Sequence, residues 1–255
     1  MYRNIIDTHA HYDDCAFDPD RDEIISSLPG QGICAVINCG TNETNSLAAV
    51  ELTRKYSFFY AAAGVHPSDC LLVGENWLDE IKTLLADEKC VAVGEIGLDY
   101  HYDDTPRDLQ LEFFEKQLRL SLELSLPVII HDREAHADTM SLLKKYRPKG
   151  VLHCFSGSVE TMNEALSLGL YIGFGGAVTF KNAKKPLECA ACVPSDRLLL
   201  ETDCPYMTPV PHRGKRNYSG FIPLSAEAIA QARGTDAQTL IDAAAQNARV
   251  LFGIQ

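Results

Sequence analysis

Short, nearly continuous apolar runs punctuate the chain at residues 4–7, 33–39, 58–65, 91–95, 127–131, 150–153, 170–175 and 198–203. Between them lie longer stretches whose apolar residues fall three or four apart. In 107–126, for example, Leu111, Phe114, Leu118, Leu122 and Leu126 predict one apolar face of a helix. Apolar runs of strand length without alternation mark strands dried on both faces, the condition of a parallel sheet covered by helices. Strand ends taken at 11, 39, 66, 95, 131, 153, 175 and 203 are spaced by 22 to 36 residues. Eight such strand–helix units, in a chain near the ~250 residues usual for the fold, predict an α/β protein of the closed TIM (β/α)8 barrel type. A doubly wound sheet commonly has about six strands. No Gly-, Ser- or Pro-rich linker interrupts the pattern, so residues 1–255 are expected to form a single domain. The irregular stretch 204–223 follows the eighth run directly and reads as an active-site loop, and 224–252 supplies one or two closing helices.

The polar residues are informative by position, because metal-competent side chains end these apolar runs. His9 and His11 in IIDTHAH are two apart, so on an extended strand end they point to the same side and can chelate one ion. Glu95 ends AVGE, His131 ends VIIH, His153 ends VLH and Asp203 ends LLLETD. Five strand ends thus deliver six ligand-type side chains to one rim, and the carboxyl rim is where TIM-barrel enzymes carry their chemistry. A lone strand-terminal histidine is more often a satisfied core or capping residue. Six together are different, since burying each unpartnered polar group would cost on the order of 2–7 kcal/mol and a bound cation removes that cost. Histidine-rich ligation points to two divalent ions of the Zn, Mn, Co or Ni kind, with Mg able to support activity.

Charge and cysteine content narrow the class. A net charge of −12 argues against a chain that coats nucleic acid or an anionic membrane, while leaving room for a local basic site. The start carries no export signal and no run is long enough to span a membrane, so the expected location is the cytoplasm, with no membrane role and no obligate protein partner. Nine cysteines in an odd, scattered arrangement read as reduced core residues, and Cys189 and Cys192 form a lone CxxC without a second pair.

The motifs DTHAH, GVHP, GEIGLDY, HDR, HCFSG and ETDCPY, in this order over about residues 4–252, resemble the TatD family of metal-dependent deoxyribonucleases. The resemblance implies a two-metal barrel of the metal-dependent hydrolase superfamily. It implies that His9, His11, Glu95 and Asp203 hold one ion, that Glu95, His131 and His153 hold the other, and that Glu95 bridges them. The chain departs from the family's common RGKRNEP loop, reading HRGKRNYSGFIP with Tyr218 at the glutamate position. The expected activity is hydrolysis of ester bonds, as a nuclease cleaving nucleic acid, DNA first, with Glu95 and Asp203 catalytic. Two ions about 3.5–4 Å apart suit in-line displacement at phosphorus, and Asp203 is the candidate general base.

Outside the ligands, His66, Arg133 and Arg213 are the candidate substrate contacts. Arg133 offers a bidentate fork to phosphate. His66 can donate to a phosphate oxygen or leaving group, although a structural histidine before Pro67 explains it nearly as well. The run His212 to Arg216 concentrates three permanent positive charges that could contact backbone phosphates. Glu201 is a candidate to orient a ligating histidine, while Ser156 and Gly157 are as well explained by a plain turn. Trp77 reads as packing. His101, His136 and His212 receive no role. The alternative is a deacylase or esterase using the same centre on a small molecule or an aminoacylated tRNA, since function resides in the loops.

Overall fold

The computed structural model describes residues 1–102, 104–182 and 184–255. Its sheet has eight strands, β1 (Ile5–Ala10), β2 (Ile33–Cys39), β3 (Phe59–Ala63), β4 (Cys90–Asp99), β5 (Val128–Arg133), β6 (Gly150–Leu152), β7 (Tyr171–Phe174) and β8 (Leu198–Leu200). They pair in sequence order, each with its neighbour and all parallel. The sheet closes on itself. Ala10 bridges Cys204 in parallel register, the His11 N–H donates to the Cys204 carbonyl at 2.8 Å, and the Asp203 N–H to the His9 carbonyl at 2.9 Å.

Helices α1 (Arg21–Ser27), α2 (Glu43–Lys55), α3 (Trp77–Leu84), α4 (Arg107–Leu124), α5 (His136–Tyr146), α6 (Val159–Ser167), α7 (Lys184–Cys192) and α8 (Ile222–Arg233) follow the successive strands, and α9 (Ala237–Phe252) ends the chain. The eight-unit barrel expected from the spacing is therefore the observed fold. Ile6, Ala35, Ile37, Ala62, Ala92, Ile129, Val151 and Leu199 form one buried cluster with Ala245, Ala248 and Phe252 of α9. Side chains from seven strands can meet only inside a barrel, so this cluster fills the lumen, and α9 seals it. The larger cluster, which includes Phe59, Phe114 and Leu118, packs between strands and outer helices.

Three departures from the sequence reading bear on the site. First, β4 does not stop at Glu95 but runs to Asp99, pairing Gly97 with His131 and Asp99 with Arg133. Gly97 permits this: its φ is +144°, and an added Cβ would lie 1.9 Å from the His131 carbonyl oxygen. Second, the buried face of α4 carries Gln110 and Gln117, whereas Leu122 faces solvent. Each glutamine acts as a backbone strand. Gln117 accepts the Val65 N–H at 2.7 Å and donates to the Val65 carbonyl at 3.0 Å, and Gln110 does the same for Asp99 at 2.9 Å and 2.9 Å. The chain beside His66 and the end of β4 are thereby fixed from the helix layer. Third, β6 and β8 end before His153 and Asp203, which lie on the turns that follow, Asp203 with a left-handed φ of 58° that aspartate tolerates better than most residues.

Candidate metal centre

Glu95 projects from the middle of β4 into the lumen, and its two carboxylate oxygens face different neighbours. Oε2 lies 3.3 Å from His9 Nε2 and 3.5 Å from His11 Nε2. Oε1 lies 2.7 Å from His153 Nε2, 3.0 Å from His131 Nδ1 and 3.7 Å from His66 Nε2. Asp203 Oδ1 closes the first side, 3.5 Å from His11 Nε2 and 3.8 Å from His9 Nε2. All six side chains expected at the rim meet here, and His66 joins them. Their ligand atoms form three groups, each within 4.8 Å: His9 with Glu95 and His153, His9 with His11 and Asp203, and His66 with Glu95 and His131. His153 stacks on the His9 ring at 3.9 Å and also lies 3.3 Å from His131, so it stands between the two sides.

The outer nitrogens decide which inner ones are available. His11 Nδ1 lies 2.9 Å from the Cys39 carbonyl, which can only accept, so Nδ1 carries a proton and in the neutral ring Nε2 is the lone-pair nitrogen. His131 Nε2 lies 3.1 Å from Asp99 Oδ2, which turns Nδ1 inward as the lone-pair nitrogen. His66 is opposite. Its Nδ1 accepts the Ser68 N–H at 3.2 Å, and burial pulls the imidazole down to about 3, so the neutral ring carries its proton on Nε2. That nitrogen is a donor, not a ligand.

The electrostatics test whether cations fit. Burial alone would push Glu95 up, but His153, His9 and His66 outweigh it and hold the carboxyl well below its usual range. Burial opposes charge on His11 and His131 as well, yet Asp203 raises the first to about 10 and Asp99 the second to about 9. Anionic groups in a buried site are here drawing positive charge onto ring nitrogens, which is the service a divalent ion performs without protons. His9, lowered by burial to about 4, is already neutral. The imidazole and carboxylate donors suit divalent zinc, manganese, cobalt or nickel.

Beyond these residues a cavity of about 790 Å³ opens, lined also by Asp13, Asp14, Thr41, Asn45, Asp69, Asp99, Tyr102, Arg133 and Tyr206. Arg133 therefore faces the site, its guanidinium 5.0 Å from the Tyr102 ring centre. Arg213 does not line the cavity; it packs 3.8 Å over Phe180 and donates to the Thr208 carbonyl at 3.1 Å. Arg216 is paired with Asp20 at 2.7 Å, so the basic run is divided among separate tasks. Tyr218, at the divergent position, donates to Gln31 at 3.0 Å and stands clear of the cavity wall. The loop is instead pinned by buried Asn217, which donates to the carbonyls of Thr202 and Tyr206.

Glu201 sits 3.9 Å from His153 Nδ1, beyond hydrogen-bond range, and takes the Cys154 N–H instead. Burial pushes it up to about 8, so at neutral pH it is largely protonated. Ser156 and Gly157 lie off the cavity wall. Trp77 is buried and stacked on Phe113, His136 pairs with Asp132, His101 with Glu134, and His212 stacks on Phe221. The Cys189 and Cys192 thiols are free. Sequence reasoning assigned no role to two groups. Asp99 was detectable as the residue four after Glu95, on the same strand face. Asp7 accepts from the Thr202 N–H and hydroxyl and from the Ser219 hydroxyl, tying β1 to the chain after β8, and nothing local marks that role.

Residues 6–253 match the model of the family described as TatD related DNase. The uncharacterized metal-dependent hydrolase YabD of Bacillus subtilis strain 168 is 42% identical over 253 residues, covering 98% of this chain and 99% of its own. The 3'-5' ssDNA/RNA exonuclease TatD of Edwardsiella piscicida is 38% identical over 245 residues, covering 92% and 94%. Among solved structures, YJJV, a TatD homolog from Escherichia coli K12, superposes with a TM-score of 0.94 at 32% identity over 100% of both chains.

Proposed function

Because this chain belongs to the TatD-related DNase family and is a metal-dependent hydrolase, we propose that it hydrolyses phosphodiester bonds of nucleic acid, DNA in the first instance. The observation that carries the reading is the division of the Glu95 carboxylate, one oxygen toward His9, His11 and Asp203, the other toward His131 and His153. Those residues would hold two divalent ions, which supply a more acidic water and charge stabilisation for the attacking and leaving oxygens of an in-line displacement.

The remaining steps fall to the chain's own groups. Asp203, at the wall of the cavity, is the acceptor for the proton of the attacking water. His66, neutral and protonated at Nε2, donates to a phosphate or leaving-group oxygen, a task for which a neutral imidazole is suited because it brings no charge of its own. Arg133 presents its guanidinium to a phosphate oxygen from the end of β5. Arg213 would meet only a strand long enough to reach beyond the cavity. Two curated relatives named as exonucleases of single-stranded DNA and RNA support a strand with free ends as the substrate.

The test is cleavage of end-labelled single-stranded and duplex DNA and RNA by metal-stripped protein with Mg, Mn or Zn restored. Metal-dependent release of nucleotides, lost in Glu95→Ala, is the expected result. Turnover of small esters or aminoacylated tRNA with no nuclease activity under any metal overturns the proposal.

A further inference from the structure

The cavity has a charge asymmetry that the metal centre does not use. Setting aside the proposed ligands and Asp99, which is engaged by His131, its wall carries the carboxylates of Asp13, Asp14 and Asp69. Against them stands one guanidinium, Arg133; no other Lys or Arg lines the cavity among the described residues. The carboxylates lie on the loops after β1 and β3, and Arg133 ends β5, four strands round from β1 in an eight-stranded barrel and therefore across its mouth. A groove that tracks a polymer presents a row of cations and aromatic platforms. This wall has a single cation, beside half-exposed Tyr102, and its other half-exposed tyrosine, Tyr206, is held by its hydroxyl on Asp14 at 2.8 Å.

Asp69 is built to accept a proton donor. Its Oδ2 takes the Thr41 hydroxyl at 3.0 Å and the Asn42 amide at 2.7 Å, and Thr41 in turn takes the Asn45 amide at 2.9 Å. The carboxylate is thus held in one orientation, while Oδ1 makes no hydrogen bond to the described residues. A hydroxyl of a sugar can donate to that oxygen in a charge-assisted bond. A terminal phosphate at the same place is mostly dianionic at neutral pH and is repelled by the Asp69 carboxylate. The cavity volume, about 790 Å³, falls in the range of roughly 300–1,000 Å³ that encloses one small molecule.

Resting on the nucleic-acid reading, we propose that the cavity receives the terminal nucleoside of a strand with its free sugar hydroxyl on Asp69, and that the rest of the strand leaves past Arg133 and Tyr102. Asp69 then sets specificity for the state of the strand's end: a hydroxyl is admitted and a phosphate refused.

The experiment uses metal-loaded protein and single-stranded ten-nucleotide substrates bearing either a hydroxyl or a phosphate at the 3′ end, and separately at the 5′ end, with a circular strand beside them. At one of the two termini, the hydroxyl form is expected to be cleaved with a kcat/KM at least about fivefold higher, the difference lying in KM, as one like-charge contact at close range dictates. Asp69→Asn narrows that ratio to less than about twofold, because the repelling charge is gone and the amide can donate to phosphate. The circular strand is cut slowly or not at all. Equal rates on both kinds of end at both termini, a ratio unchanged in Asp69→Asn, or rapid cutting of the circle overturns the proposal while leaving the nuclease reading intact. Absence of cleavage of every strand overturns both.

Discussion

Removing the charge of Glu95 should undo both sides of the centre at once, since its two oxygens face different ligand sets. Glu95→Gln is expected to lower turnover by at least about 10³-fold, an effect of the size seen when residues acting as a unit lose one member, and to lower metal content measured by plasma emission. Retention of both metal and activity would refute the shared role. Asp99 acts one step away, through the 3.1 Å contact that turns His131 inward. Asp99→Asn should weaken metal affinity or activity by about 10–100-fold, the usual effect of losing a ligand's orienting partner, with the rest of the fold unchanged by circular dichroism. The six rim residues were legible because each ends an apolar run. Asp99 was visible only as a residue on a rim loop after Glu95 and received no role, because the fourth strand was read as ending at Glu95 whereas β4 runs on to Asp99. The basic run was legible as charge but not as placement, because nothing in RGKR distinguishes Arg213 over Phe180 from Arg216 on Asp20.

At the scale of elements, two strand segments are held in register by features that sequence periodicity misses. Gln117 of α4 supplies both hydrogen bonds that the Val65 backbone would otherwise take from a neighbouring strand. Gln117→Leu leaves a buried N–H and C=O unpaired and should cost roughly 2–6 kcal/mol, at about 1–3 for each group, read as a lower midpoint in urea; an unchanged midpoint would show that water replaces the amide. Gly97→Ala forces a Cβ against the His131 carbonyl at a positive φ. Its expected cost is about 1–3 kcal/mol or more, together with weaker metal binding, because relief requires β4 and β5 to separate at His131. The helical spacing of 107–126 placed α4 correctly but put Leu122 on the inner face. Side-chain hydrogen bonding outranked hydrophobicity there, since strand ends near the rim need partners that leucine cannot supply.

For the whole molecule, eight evenly spaced apolar runs were enough to specify a closed barrel, because buried parallel strands and their covering helices leave few other arrangements. Closure itself, through Asp7, Thr202 and Ser219 and the contact of Ala10 with Cys204, joins residues nearly two hundred positions apart and has no local signature. The same geometry places His9 and His11 beside Asp203 at the seam, so chelation should lower the melting temperature as well as abolish turnover, and restored metal should raise it by mass action. No helix among the described residues is long and apolar enough to cross a membrane. The central claim, that one carboxylate organises two ion sites, is tested most directly by counting ions. Titration of metal-stripped protein with manganese, followed calorimetrically, should give two equivalents per chain, one in Asp203→Asn and none bound tightly in Glu95→Gln. A single equivalent in the unaltered protein, or two in Glu95→Gln, would contradict it.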